Sequence, residues 1–215
     1  FRRHNDSDVS PDDLPSETYY ITLERDADQV REKMETVLNS HRYDTLVENT
    51  TFVDFSDDYL EAMPILSNTK SGSWDGGEYR NLLRKLRKYL DENADDAVVV
   101  IDSITSLFKA TEFGLGRANV LSFLTYLTDA SRDWDGLVYG LNYDKASTVR
   151  NDGVLASTPD GVLYFKIGQL GGGLHRAMYM GSFHGTFSHS QDTIRVYQVH
   201  IGARGFEVST VNEII

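Results

Sequence analysis

The sequence contains no cysteine, and this absence removes several kinds of chemistry at once. Disulfide bonds, zinc sites with thiolate ligands and cysteine nucleophiles are all excluded. Long apolar runs are missing too: none approaches the roughly 20 residues that a membrane-spanning helix needs. The start of the chain has no charged-then-apolar signal sequence. We therefore expect a cytoplasmic protein that has no membrane partner.

Lysine is scarce, with 7 residues against 14 arginines and 22 aspartates. Acidic residues number 33 and basic residues 21, which gives a net charge of -12. This charge repels nucleic-acid phosphates and argues against a nucleic-acid partner. Short carboxylates at the surface keep a protein soluble when salt screens their repulsion, so we expect a halophilic source. An ordinary acidic cytoplasmic protein is the alternative.

The pattern along the chain predicts an α/β fold in one domain. Residues 1–17 are charged, contain two prolines and lack periodicity, which predicts an exposed N-terminal segment. Residues 18–215 alternate short apolar runs with helical periodicity and are expected to form the domain. The Ser, Asp, Asn and Gly-rich stretch that follows residue 55 and ends at Gly77 is expected to be a mobile insertion. The predicted strands are 18–23, 51–55, 98–101, 136–141 and 161–167, the helices 26–38, 78–90, 103–112 and 117–131, and the hairpin strands 174–180, 193–200 and 205–208.

One run carries most of the functional information. Residues 98–101 are four consecutive β-branched residues, Val-Val-Val-Ile, which suit a strand covered on both faces in a parallel sheet. Asp102 follows at the carboxyl end of this strand, where open α/β sheets bind ligands. The alternative interpretation is that Asp102 and Ser103 simply begin the next helix as capping residues.

The string Ile-Asp-Ser-Ile-Thr-Ser-Leu at 101–107 resembles the Walker B strand of the RecA and KaiC-like ATPases. Residues 21–26, which include Glu24, resemble the strand end that carries the water-activating glutamate in KaiC-like proteins. Residues 160–165 and 205–208 resemble two late strands of the same family. The segment Tyr-Tyr-x-x-Leu-Glu-Arg-Asp-Ala-Asp at 19–28 is similar to the haloarchaeal HTR-like branch.

This resemblance implies a RecA-like, mostly parallel central sheet flanked by helices, with antiparallel strands or hairpins at the C-terminal edge. It also implies site residues. Asp102 would hold a magnesium ion, Ser103 and Asn142 would join it in ATP binding, and Glu24 would act as the catalytic residue that polarises water. ATP and Mg²⁺ are thus the implied cofactors of a complete protein. A surface glutamate favoured by a helix dipole is the other explanation of Glu24.

The phosphate-binding pattern Gly-x-x-x-x-Gly-Lys-Ser/Thr occurs nowhere in the 215 residues. The family would place it, with its strand, before residue 18, so we expect an incomplete RecA-like domain. A family member without the loop is the alternative. Ser182 and His184 stand where relatives carry the Lys and Arg that reach a neighbour's γ-phosphate. Both differences predict weak or no ATPase activity in this chain.

Two functions follow from these expectations. The first is a nucleotide-binding regulatory or signalling protein that works through protein partners or self-assembly. The second is a non-catalytic interaction module that keeps the fold and docks an acidic partner through the basic helix face at 80–88. That face is otherwise explained as solvated surface. A recombinase-like DNA binder would need basic loops, which the sequence does not offer.

Overall fold

The computed structural model describes residues 15–62, 77–113, 115–143, 157–170, 173–183, 196–202 and 205–210. The chain divides into two compact units, Phe1–Val149 and Arg150–Ile215. We describe each unit by itself, and the expectation of one domain over residues 18–215 stays a prediction.

The first unit alternates strands and helices, as the sequence pattern predicts. Its strands are β1 Glu17–Thr22, β2 Thr51–Asp54, β3 Ala97–Asp102 and β4 Leu137–Gly140. Its helices are α1 Ala27–Val37, α2 Ser40–Glu48, α3 Ser56–Glu61, α4 Gly77–Asn93, α5 Ile104–Ala110 and α6 Arg117–Asp133. A 3-10 turn, Thr111–Phe113, follows α5.

The four strands form one parallel sheet in the order β2-β1-β3-β4. The predicted parallel sheet is therefore confirmed. Thr22 at the end of β1 lies opposite Asp102 at the end of β3, and Ile101 lies opposite Gly140 at the end of β4. Because the three strands end at nearly the same level, the residues that follow them share one edge of the sheet.

Apolar residues at regular spacing build the core on this sheet. Val99 and Ile101 of β3 are 1% and 0% exposed, whereas Val98 and Val100 are only partly buried, so the expected burial of the β-branched run is confirmed for one face of the strand. In α4 the buried leucines are Leu82, Leu83, Leu86 and Leu90, whose spacing of three and four residues places them on one helical face. Burial of each such side chain contributes about 1.5–3 kcal/mol to stability.

Two short helices differ from the sequence-based prediction. No residue of α2 is fully buried, and its apolar residues Tyr43, Leu46 and Val47 form a stripe of only three residues, too short to identify a helix from sequence. Helix α3 occupies the start of the stretch that we expected to be a mobile insertion, and that expectation is wrong for residues 56–61. Its Tyr59 is 1% exposed, and Asp54 accepts a hydrogen bond from the Ser56 amide at its first turn. Residues 63–76 of the same stretch lie outside the described residues.

The second unit contains an antiparallel sheet in the order β5-β6-β7-β8, which confirms the predicted change to hairpins. Its strands are β5 Gly161–Leu170, β6 Gly173–Phe183, β7 Val196–Gly202 and β8 Gly205–Thr210. Tyr164 stacks on Tyr179 across β5 and β6, with ring centroids 4.7 Å apart. Such a cross-strand pair stabilises the hairpin register. Among the described residues of both units, no helix is long and apolar enough to cross a bilayer.

Candidate functional site

Backbone pairing continues past the strand ends and fixes the position of Asp102. The Leu23 amide donates to the Asp102 carbonyl at 3.0 Å, which extends β1 alongside β3. The Leu141 amide donates to the Ile101 carbonyl at 3.0 Å, and the Ile104 amide donates back to Leu141 at 2.8 Å. Asp102 is therefore held between the residues that follow β1 and β4. The Asp102–Ser103 peptide bond is cis.

Two tyrosine hydroxyls bind the carboxylate of Asp102. The Tyr20 hydroxyl donates to Oδ2 at 2.7 Å, and the Tyr143 hydroxyl donates to Oδ1 at 3.2 Å. Tyr20 lies two residues before Thr22, the register partner of Asp102, so its side chain is on the same face of the sheet as the carboxylate. Tyr143 follows β4 and is 51% exposed. Each carboxylate oxygen thus accepts one phenolic hydrogen bond.

The electrostatics keep both phenols protonated. Burial raises the pKa of Tyr20 well above its usual value, and the hydrogen bond to Asp102 and the charge of that residue raise it further. The pKa of Tyr143 is raised by burial and then by the Asp102 charge and hydrogen bond. Arg25 opposes both shifts. A protonated phenol donates a hydrogen bond, so both tyrosines are locked as donors to this carboxylate.

Ser103, Thr105 and Asn142 form a second polar group beside Asp102. The Ser103 hydroxyl accepts from the Ser106 amide at 3.2 Å and caps α5, and the residue is 4% exposed. The Thr105 hydroxyl donates to Asn142 Oδ1 at 3.1 Å and accepts from the Tyr143 amide at 2.7 Å. Thr105 is 1% exposed, so this buried hydroxyl has both of its partners inside the protein.

Glu24 follows β1 at the same edge. Its Oε1 accepts from Lys109 Nζ at 2.9 Å, and both side chains are partly exposed. Its charge also raises the pKa of Tyr143, which places the two residues within electrostatic reach of each other. Asp26 caps α1 by accepting from the Gln29 amide at 2.7 Å.

The sheet edge therefore gathers the predicted residues Asp102, Ser103, Asn142 and Glu24, and their roles in binding and catalysis stay predictions. Sequence reasoning missed the residues that contact them: Tyr20, Tyr143, Thr105 and Lys109. The alternation of side chains in β1 indicates which face of the sheet Tyr20 is on. It places Tyr20 beside Asp102 only once the β1–β3 register is known. His184 and the side chain of Ser182 lie outside the described residues.

Asp102 is the residue at this edge that suits a magnesium ion. A carboxylate has about four acceptor positions, so one bond from each tyrosine leaves room for a water on a hydrated cation. Within the described residues, no group of three His, Cys, Asp or Glu side chains is arranged to enclose a metal. The donor chemistry fits a cation held mainly by nucleotide and water, with Asp102 as the protein's contact.

A parallel sheet with a carboxylate at the tip of an inner strand is the arrangement of a RecA-type α/β fold. The chain is similar in structure to a KaiC-like protein of the hyperthermophilic archaeon Pyrococcus horikoshii OT3, with a TM-score of 0.56 and 18% identity over 90% of this chain and 76% of that one. No family model and no curated protein matches the sequence. The likeness shows the fold and confirms the predicted RecA/KaiC-like architecture. The haloarchaeal HTR-like resemblance stays a prediction.

Proposed function

We propose that this chain is a RecA-superfamily regulatory or signalling protein of the cytoplasm that binds Mg-ATP weakly at the edge formed by the ends of β1, β3 and β4. It has little or no ATPase activity as a 215-residue chain, and it acts through protein partners or self-assembly. A halophilic origin is part of the same proposal, and the net charge of -12 supports it.

The observation that carries the proposal is the position of Asp102. Its carboxylate stands at the tip of an inner strand, between Tyr20 and Tyr143 and within the same polar edge as Glu24. Open α/β sheets bind ligands at this edge, and a strand-tip carboxylate supplies the hard oxygen donor that magnesium requires.

Each residue has a role that its contacts support. Asp102 would hold magnesium through water, and the ion would supply charge neutralisation to the phosphates. Thr105 fixes the Asn142 amide through its Oδ1, which leaves the Asn142 NH₂ group to donate to a phosphate oxygen. Lys109 binds Oε1 of Glu24, so a water would be polarised through the other carboxylate oxygen. The absence of a Gly-x-x-x-x-Gly-Lys-Ser/Thr sequence from the 215 residues supports weak binding.

A non-catalytic interaction module is the second candidate. It is favoured because the polar groups at this edge already bind one another. Both oxygens of Asp102 accept from tyrosines, and Glu24 pairs with Lys109. In this alternative the edge is a structural junction and binds no nucleotide.

Titration of the isotope-labelled chain with ATP in excess Mg²⁺, followed by amide NMR shifts, tests the proposal. We expect the amides of Glu24, Ser103 and Asn142 to shift with a Kd of about 1 mM, which corresponds to about -4 kcal/mol. Asp102→Asn should remove the magnesium dependence of these shifts. The control Asp129→Asn removes an exposed aspartate, which pairs with Arg132 on α6, and should leave them unchanged.

The outcomes separate the two candidates. Micromolar affinity would contradict weak binding. An absence of shifts at about 10 mM Mg-ATP, roughly ten times the expected Kd, would favour the interaction module. Shifts confined to other parts of the chain would show that Asp102 is not the contact.

A further inference from the structure

A groove of about 290 Å³ lies between α4 and α6, and arginines dominate one of its walls. Arg80, Arg84 and Arg87 contribute from α4, while Phe123 and Tyr126 contribute from α6. The arginines stand four and three residues apart, so they share one face of the helix and span roughly 10 Å along it. We call this surface the arginine groove.

Contacts within the chain order one wall of the arginine groove in the absence of a ligand. The Arg87 guanidinium lies over the Tyr126 ring, 4.7 Å from its centroid. The Tyr126 hydroxyl donates to Asp91 at 2.6 Å, and Trp134 packs edge-on against the same ring at 5.9 Å. A side chain that is already ordered loses little further entropy on binding, so this wall suits recognition.

Most basic side chains of α4 are paired within the chain. Lys85 pairs with Asp58, Lys88 with Glu92, and the Nε of the Arg87 guanidinium lies 3.4 Å from the Asp91 carboxylate. Among the ion pairs and hydrogen bonds of the described residues, Arg84 takes no part. A net charge of -12 makes an uncompensated arginine in a concave surface unusual for this chain. The groove therefore complements a negatively charged group.

We propose that the arginine groove binds a short acidic peptide segment of a partner protein. A carboxylate of the peptide would accept two N–H bonds in bidentate geometry from the planar guanidinium of Arg84, and a second would share the Arg87 guanidinium with Asp91. An apolar peptide side chain would pack on the edge of Tyr126. This surface is separate from the nucleotide edge, so the inference goes beyond the proposed function.

A peptide fits the arginine groove better than a nucleic acid does, because the groove is short and the protein around it is acidic. About three extended residues span the roughly 10 Å between the outer arginines. A peptide can leave the surface beyond that point, whereas a nucleic-acid strand carries a phosphate at every nucleotide onto an acidic protein.

Fluorescence anisotropy tests the proposal with a labelled glutamate-rich peptide of about twelve residues that contains one central phenylalanine, a length that exceeds the roughly three-residue groove. The matched peptide has glutamine in place of every glutamate. Arg84→Gln removes the arginine that has no partner among the described residues, and Lys88→Gln removes one positive charge from the same helix outside the groove. Melting curves by circular dichroism verify that both variants stay folded.

We expect the wild-type chain to bind the acidic peptide and not the glutamine peptide. Arg84→Gln should weaken binding about fivefold, the effect of one partly exposed ion pair, while Lys88→Gln should change it less than twofold. Equal losses in both variants, or no binding of the acidic peptide, would overturn the proposal. Displacement of the peptide by an oligonucleotide of equal charge would assign the groove to nucleic acid, and dimerisation of the chain alone that Arg84→Gln abolishes would assign it to a second copy.

Discussion

Removing one hydroxyl from Tyr20 tests whether the Asp102 junction stabilises the first unit. Tyr20→Phe keeps the ring and its packing against Phe52, whose centroid is 5.6 Å away, and deletes only the 2.7 Å bond to Asp102. A hydrogen bond to a charged group contributes about 1.5–3 kcal/mol. Asp102 is half-buried, so water can replace the lost donor, and we expect the lower end, about 1.5 kcal/mol. For a chain of this length, this loss lowers Tm by about 3–6 °C.

Substitutions of two further tyrosines serve as controls for Tyr20→Phe. Tyr143→Phe deletes a 3.2 Å bond from a residue that is more than half exposed and should cost less than about 0.5 kcal/mol. Tyr139 lies exposed on β4, and no hydrogen bond of its hydroxyl is seen among the described residues, so Tyr139→Phe should be neutral. Both tryptophans precede residue 149, so urea unfolding followed by tryptophan fluorescence reports the first unit.

The pH dependence of the same variant gives an independent check. The pKa of Tyr20 is higher in the folded protein than in the unfolded chain, where it is near 10. The stability that Tyr20 contributes is therefore complete below about pH 10 and is lost as the pH rises above that value. At pH 11 the unfolded chain gains about 1.4 kcal/mol from ionising this tyrosine, a gain that Tyr20→Phe does not have. The two proteins should therefore be nearly equally stable there. The reasoning is refuted if Tyr20→Phe costs no more than Tyr139→Phe at pH 7, or if the gap persists at pH 11.

Two other predictions concern the frame around the site. The pKa of Asp54 is lowered in the folded protein, because partial burial raises it but hydrogen bonds from Ser56 and Ala27 lower it by more. The stability that Asp54 contributes is therefore present above about pH 4 and is lost as pH falls. Asp54→Asn should cost about 0.5 kcal/mol at pH 7 and nothing measurable near pH 2.5 in urea unfolding, and an equal cost at both values would count against this origin. A Cβ on Gly136 would stand 2.8 Å from the Ala97 carbonyl oxygen, so Gly136→Ala should lower the urea-unfolding free energy by about 1–3 kcal/mol. The control Gly116→Ala, with no atom nearer than 3.5 Å, should cost about 0.5 kcal/mol, and similar losses in both would contradict the clash.

Local patterns allowed the main elements of the fold to be predicted. The Val-Val-Val-Ile run predicted β3, and the leucine spacing predicted α4, because burial on one side of an element imposes a period that a sequence displays directly. Helix α2 shows the limit of this reasoning. Its Tyr43, Leu46 and Val47 follow helical spacing, but a stripe of three residues in a nine-residue helix is too short a pattern to identify it, even with the Asn39 cap.

Sequence reasoning could identify a site residue only where the residues next to it in the chain marked its position. Asp102 was found because it ends a strand. Tyr20 was missed because its contact with Asp102 spans 82 positions and depends on the register between β1 and β3. Thr105 was missed, since the bonds that connect it to Asn142 and the Tyr143 amide come from a segment 37 and 38 positions away.

The contacts of Thr105 and Tyr143 close a circuit with Asp102. The chain runs from Asp102 through Ser103 and Ile104 to Thr105, Thr105 accepts from the Tyr143 amide, and the Tyr143 hydroxyl returns to Asp102. The links from Asp102 to Thr105 are covalent and the Tyr143 amide bond to Thr105 is short and partly buried, whereas the bond between the Tyr143 hydroxyl and Asp102 is long and exposed. The circuit therefore opens first at Tyr143, and opening frees one carboxylate oxygen while Thr105 and the start of α5 stay in place. Rotation of this one side chain would therefore add a free oxygen at Asp102 without disturbing the Tyr20 bond on the other oxygen.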